Sequence, residues 1–242
     1  RSAVRRGEND HHSLDEVELT GSDQAACLEA RDRLRRIERK KDFRVWIAGC
    51  STGEEAYSVA MLIDELIDYQ LNAPRVRIYA TDIDDVALSA AIDGHYPRAI
   101  SEHLSPQRLE RHFTPTSSGF EVSGELRRTI TFTQHDLLST PPFTNMDLVL
   151  CRNLLIYLAP DAQEFALRRL GYALRAGGLL VLGPSEQLGP LQPEFEAASR
   201  IAPIHRRRDA ESHRQKLALA TGPIASAPGP ATRAINVMIR QR

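Results

Sequence analysis

From Val45 to Ser58 the chain reads VWIAGCSTGEEAYS: an apolar strand-like run, a turn of small residues opened by glycine, two adjacent acids, and then helical spacing. A strand over Arg44–Ala48 must end where Gly49 lets the backbone turn and approach a ligand closely, and Ser51, Thr52 and Gly53 are small enough to leave room for one. About thirty residues on, Arg75–Ala80 is a second β-rich run that closes on Thr81-Asp82-Ile83-Asp84. Carboxylates therefore stand at the tip of the next strand, where acids hold a ribose.

The glycines depart from the dinucleotide fingerprint, since only Gly49 and Gly53 are present. Glu54 and Glu55 follow where a pyrophosphate would need helix N–H groups and no negative charge. Such acids suit a ligand with ribose hydroxyls and positive charge, and S-adenosylmethionine carries a sulfonium, an ammonium and a ribose. A bare GxxxG turn also fits a plain strand–turn–helix connection with solvated acids. The second acidic strand end favours the ligand.

The rest of the chain frames this turn. Strand and helix patterns alternate over Arg44–Ala48, Glu54–Tyr69, Arg75–Ala80, Asp85–Ile92, Thr129–His135, Asp147–Leu150, Pro160–Leu174 and Leu179–Gly183, which predicts a doubly wound, largely parallel sheet. Pro160-Asp161 suits a first helical turn, and Gly177-Gly178 is expected to stop the last helix before an apolar strand. His95–Leu126 interrupts the alternation with a Pro-started helix near Gln107–Phe113 and a short run Phe120–Val122, the pattern of a small inserted subdomain. Upstream, Cys27, Ala30, Leu34 and Ile37 form the apolar stripe of a helix over Asp23–Lys41, with Arg31, Arg33, Arg35, Arg36 and Arg39 around the remainder. That basic coat is either a solvated face or a surface for an acidic partner.

With 242 residues, one main domain is expected, spanning 23–205, between a polar arm over 1–22 and a linker or tail over 206–242. Arg1 and the absence of a signal-peptide pattern suggest a piece of a longer product. Against 31 basic residues stand 32 acidic ones, so no global charge pulls the chain toward nucleic acid or an anionic membrane. Cys27, Cys50 and Cys151 lack short metal-ligand spacing, no apolar run is long enough to span a bilayer, and a reduced cytoplasmic protein without a metal is expected. Neither Cys50 nor Cys151 has a partner histidine string, so both read as packing residues and not nucleophiles.

Three signatures accumulate in order: AGCSTGEEAYS at 48–58, ATDID at 80–84, and LCRNLLIYL at 150–158, followed by ALRAGGLLVLGPSE at 173–186. Together, over about Phe43 to His205, they resemble the CheR-type chemotaxis receptor methyltransferases, which esterify glutamate side chains on receptor helices with S-adenosylmethionine. The wording around Pro141-Pro142-Phe143 and Leu154-Leu155-Ile156 is nearest to copies inside multidomain signalling proteins. The resemblance implies an α/β fold, a class I methyltransferase-like doubly wound, mostly parallel sheet with a small α/β insertion at about 95–126, which docks a receptor peptide in some relatives.

For the site it implies that Gly49, Ser51, Thr52 and Glu55 line the methionine end of the donor and that Asp82 holds the ribose hydroxyls. Asp136 and Leu137 would border the adenine, while Asn153 and Tyr157 would face the sulfonium and the reacting methyl. Without the resemblance, Asp136 reads equally as a turn acid, Asn153 and Arg152 as groups satisfying backbone at a strand end, and Tyr157 as a core aromatic. Methyl transfer to a carboxylate needs a cation near the nucleophile, and Arg152 is the one inside the LCRNLLIYL string. Tyr157 and Arg152 are thus the expected catalytic residues. Partners would be chemoreceptor cytoplasmic helices or a similar signalling protein, with other domains of a larger signalling protein beside it and no nucleic acid or membrane insertion; the co-product is S-adenosylhomocysteine. One element is missing: residues 1–42 hold no Phe-Phe-Arg string, whose arginine in family members reaches toward donor and substrate; Arg31, Arg35 and Arg36 are candidates for its place, and their spacing singles out none of them. The alternative to an enzyme is a donor-binding but inactive signalling or docking module.

Overall fold

A computed structural model describes residues 21–36, 42–68 and 73–208. The expected arm before residue 21, Ile37 and Arg39, Tyr69, and the tail from 209 onward lie outside the described residues.

Helix α1 (Gly21–Arg36) comes first and buries Ala26, Cys27, Ala30 and Leu34 against α2 (Glu54–Ile67) and the sheet. Strand β1 (Asp42–Ala48) pairs in parallel with β2 (Arg75–Asp82) over its whole length, Asp42 opposite Arg75 and Ala48 opposite Thr81. Helix α2 crosses between them and buries Ala56 to Ile63 without a break. After α3 (Asp85–Asp93) come β3 (His95–Pro97), α4 (Pro106–His112), β4 (Phe113–Pro115), β5 (Gly119–Val122) and α5 (Gly124–Arg127). The chain then returns to the main sheet as β6 (Ile130–Gln134) beside β2. Strand β7 (Met146–Cys151), buried at every residue, lands on the other side of β1, and α6 (Pro160–Ala173) leads to β8 (Leu174–Leu182), β9 (Phe195–Ala197) and β10 (Ile204–Arg207).

The main sheet has seven strands in the order β6-β2-β1-β7-β8-β10-β9, parallel from β6 to β8, with β10 antiparallel to both its neighbours. This is the doubly wound, mostly parallel sheet that the alternation predicts. Two apolar clusters cover its faces: one joins α1, α2 and the insertion, and the other packs Leu167, Leu170 and Ala173 of α6 against Trp46, Val149 and Leu180. The insertion is its own antiparallel sheet, β3-β5-β4, tied to α2 by ion pairs.

Two boundaries differ from expectation. Gly177 and Gly178 do not end a helix: α6 stops at Ala173 and β8 begins at Leu174. The glycines form a bulge, because Met146 pairs with Leu174 but Leu148 with Leu179. Gly177 takes φ +71, and a Cβ on Gly178 would lie 2.9 Å from the Arg175 carbonyl oxygen. At the far end, Arg206 and Arg207 belong to β10 and not to the tail, since antiparallel pairing with β9 carries the strand past His205.

Candidate functional site at the carboxyl edge of the sheet

In an open parallel sheet, ligands bind beyond the carboxyl ends of the strands where the strand order reverses, here between β1 and β7. The turn after β1 is bolted to β2: the Thr81 carbonyl accepts from both Gly49 N (2.8 Å) and Cys50 N (2.9 Å). Gly49 sits at φ +81 and Ser51 at φ +46, so the chain doubles back over the end of β2. There Asp82 takes Ser51 N on one carboxylate oxygen (2.8 Å) and Asp84 N on the other (3.0 Å). Each oxygen retains a further lone pair. Asp84, the other acid at that tip, is spent on capping α3 through Val86 N and Ala87 N.

Gly53 N-caps α2 at φ +93, and a Cβ there would lie 2.8 Å from Ala91 Cβ. It lets α2 and α3 pack closely. Thr52 donates to the Glu54 carboxylate and accepts, through its carbonyl, from Tyr96 Oη at 2.9 Å, so the insertion touches the turn directly.

Across the switch point, Arg152 leaves β7 and bonds Glu55 Oε1 at 3.0 Å and the Asp23 carboxylate at 3.3 Å. Its side chain is only 13% exposed, and Asp23 on α1 is buried. The expected substrate-facing cation is thus engaged with two acids of the protein. Beyond it Asn153 stands exposed at φ +54, and Tyr157, on the short 3-10 turn Leu155–Tyr157, is 38% exposed at the rim. Gly49, Ser51 and Thr52 on the turn after β1, Glu55 in the first turn of α2, Asp82 at the end of β2, and Arg152, Asn153 and Tyr157 after β7 therefore lie at the carboxyl edge of the sheet.

The expected adenine pair behaves otherwise. Asp136 closes a turn, accepting from Leu138 N on one oxygen and Ser139 Oγ on the other, both at 2.8 Å. Leu137 is buried in the cluster with Trp46 and Ala48. This loop is held by His135, which contacts the Pro141 carbonyl and lies against Trp46 and Phe143. Burial lowers the His135 pKa. Cys50 and Cys151 are buried, and burial first, then nearby carboxylates, pushes both thiols up, away from the thiolate a nucleophile needs.

Two residues went unassigned in the sequence. Asp23 had no signal there, since 129 positions separate it from Arg152. Glu186 did, closing the GPSE string; it is buried and takes backbone N–H groups from both the β7 and β8 loops. Arg31 is exposed on α1, and the side chains of Arg35 and Arg36 lie outside the described residues.

The donor set fits S-adenosylmethionine: a carboxylate with free lone pairs at the β2 tip for a diol, a second carboxylate at the α2 start for a cation, and an exposed amide and phenol opposite. A phosphate would meet Glu54 and Glu55 in the first turn of α2.

Comparison with known proteins identifies the family. Residues 24–202 match the model of the family described as CheR methyltransferase, SAM binding domain. An uncharacterised 104.1 kDa protein of Rhodobacter capsulatus is 47% identical over 156 residues, 64% of this chain and 16% of that protein. A chemotaxis protein methyltransferase 1 of Pseudomonas aeruginosa is 37% identical over 158 residues, 63% of this chain and 58% of that protein. The chain thus spans well under two thirds of these relatives' own length. Among solved structures, a TehB-like SAM-dependent methyltransferase of Corynebacterium glutamicum is similar at 15% identity and a TM-score of 0.42, covering 76% of this chain and 85% of that one. Among the described residues, no helix is long and apolar enough to cross a membrane.

Proposed function

The chain belongs to the CheR methyltransferase family through its SAM-binding domain, and from that membership we propose that it binds S-adenosylmethionine at the carboxyl edge of β1, β2 and β7 and methylates glutamate side chains on chemoreceptor-like helices in the cytoplasm. The observation that carries the reading is the meeting of Asp82, Glu55, Asn153 and Tyr157 across the switch point, with Asp82 already oriented by Ser51 N.

When bound, the donor supplies an electrophilic methyl on a sulfonium. Asp82 offers its remaining lone pairs to the ribose hydroxyls, and Ser51 N keeps that carboxylate from rotating away. Glu55 faces the ammonium, held in place by Arg152, so Arg152 acts on Glu55 as a positioning residue and not on the substrate. Asp136 and Leu137 border the adenine through the turn they build, with Asp136 as its acid and Leu137 as its apolar floor. A substrate glutamate, with an ordinary pKa of about 4.3, is ionised at neutral pH and needs no general base. Tyr157 at the rim orients it, and the loops supply alignment and exclusion of water. The ester removes one negative charge from a receptor helix and so alters like-charge repulsion within the bundle.

Calorimetry with S-adenosylmethionine and S-adenosylhomocysteine tests the pocket: micromolar-range binding is expected, lost in Asp82→Ala. Base-labile methyl incorporation into a chemoreceptor cytoplasmic fragment tests the transfer. The engagement of Arg152 by Asp23 and Glu55 favours one second reading, a donor-binding but inactive signalling module, which predicts binding without esterification. A folded sample that binds neither ligand contradicts both.

A further inference from the structure

Beneath the rim of the site lies a carboxylate that the donor reading does not use. Glu186 is 7% exposed and each of its oxygens accepts two backbone N–H groups. Oε1 takes Leu154 N at 3.0 Å and Leu155 N at 2.7 Å. Oε2 takes Gly183 N at 2.7 Å and Asn153 N at 3.2 Å. Burying an ionised carboxylate is costly, and four charge-assisted bonds to main-chain dipoles offset that cost only while the loop keeps this shape.

The loop so held is the one that would carry the chemistry. Asn153 is bent into the left-handed region, which places its side chain within reach of the end of β8: a Cβ on Gly183 would lie 2.8 Å from both Asn153 Oδ1 and Glu186 Oε2. One residue on, the Leu154 side chain fills the space over Gly49, where a Cβ would meet Leu154 Cδ2 at 3.1 Å. The two N–H groups that follow lead straight into the turn that presents Tyr157. A single carboxylate thus locks the β7 loop to the β8 loop and seats it on the β1 turn.

We propose that Glu186 is a positioning residue for donor binding: its carboxylate fixes residues 153–155 so that Leu154 is seated over Gly49, Asn153 is held beside Gly183, and Tyr157 is presented at the rim. This role rests on the donor-pocket reading above. A carboxylate that merely joined two strand ends would set the melting temperature and leave the affinity of the folded protein unchanged.

The test compares wild type, Glu186→Gln, Glu186→Ala and Gly183→Ala, with the exposed neighbour Ser185→Ala as control. Each is titrated with S-adenosylhomocysteine by calorimetry well below its own melting temperature, and amide hydrogen exchange is followed at residues 153–155. Gln keeps one acceptor but turns its NH2 toward N–H groups, so Glu186→Gln should weaken binding about tenfold or more, with faster exchange at 153–155. Glu186→Ala should be weaker still, and Ser185→Ala should match wild type. Gly183→Ala, which displaces the same pair while keeping the charge, should weaken binding without removing the carboxylate, and it covers the case in which Glu186→Ala fails to fold. Wild-type binding with Glu186→Gln within about twofold of it overturns the positioning role and leaves the donor pocket standing. Failure of wild type itself to bind overturns the pocket and this role with it.

Discussion

Asp82 has work on both sides. Its carboxylate orders the chain inwardly, through Ser51 N and Asp84 N, and its outward lone pairs remain for a diol. On the proposed reading, Asp82→Ala removes the ribose contact and also frees the turn held by Ser51 N. Gly53 is constrained more simply. At φ +93, with Ala91 Cβ in the way, Gly53→Ala should lower unfolding stability by about 2 kcal/mol or more, measured by urea titration. Arg152→Ala strips a guanidinium from two mostly buried acids and should cost about 2 to 4 kcal/mol by the same measurement. Because Glu55 then loses its orienting bond, the affinity for S-adenosylmethionine should fall in the same variant, read by calorimetry. The place of Asp82 at a strand tip was legible, whereas Gly53, read as leaving room for a ligand, is needed for its positive φ and its approach to Ala91, which lies on another helix. The sequence did not reveal the state of Arg152, because that depends on Asp23, a residue of the distant helix α1.

At the scale of elements, the insertion is docked by α4 onto α2 through charges of unequal worth. Arg108 makes a two-point contact with Glu65 at 2.5 and 2.8 Å, and the arginine is largely shielded. Arg111 spans Asp64 and Asp68 from a more exposed position. Bidentate, shielded pairs retain their strength, whereas exposed ones are screened. Arg108→Ala should therefore cost about 1 to 2 kcal/mol and Arg111→Ala under about 1 kcal/mol, with only the second loss shrinking markedly in high salt. Thermal denaturation at two ionic strengths separates them. The insertion itself was legible as a break in the strand–helix alternation, and its helix fell within one residue of expectation. Its central strand β5 was read as the short run Phe120–Val122, but β3 and β4 beside it were not, because they are three residues each and carry no periodicity to read. Gly177-Gly178 misled for a related reason: a glycine pair marks a bulge as readily as a helix stop, and only pairing with β7 decides between them.

For the whole molecule, protons couple to folding through two buried histidines, His112 and His135, and the partly buried His205. Burial lowers the pKa of His112, His135 and His205 from an ordinary value near 6.5, so the unfolded chain binds protons more readily than the folded one. Their contribution is full above that ordinary value and is lost as pH falls through it toward the lower folded values. Glu65 acts in the same direction further down: its bond to Arg108 lowers its pKa, giving stability that disappears on acidification below the ordinary carboxylate range. The melting temperature should be flat only at about pH 7 to 8, decline steadily from about pH 6.5 downward, and decline again above about pH 8.5, where the unfolded thiols ionise and the buried Cys50 and Cys151 do not. A constant melting temperature from about pH 7.5 to about pH 5.5 would contradict this account.

The clamp around Glu186 also bears on how the molecule comes into being. Its bonds to residues 153–155 span 31 to 33 positions of the chain, and the Arg152 contact to Asp23 reaches back 129. Long-range closures of this kind carry an entropic cost before they yield any stabilisation, so they form late. During synthesis, the β1 turn and α2 emerge long before the carboxylate that will seat the β7 loop upon them. A nascent chain ending before Glu186 has the glycine turn but not its counterpart. Metabolite binding would then report a finished fold, and the metabolite, recognising only that state, would draw the population of folded molecules upward by mass action.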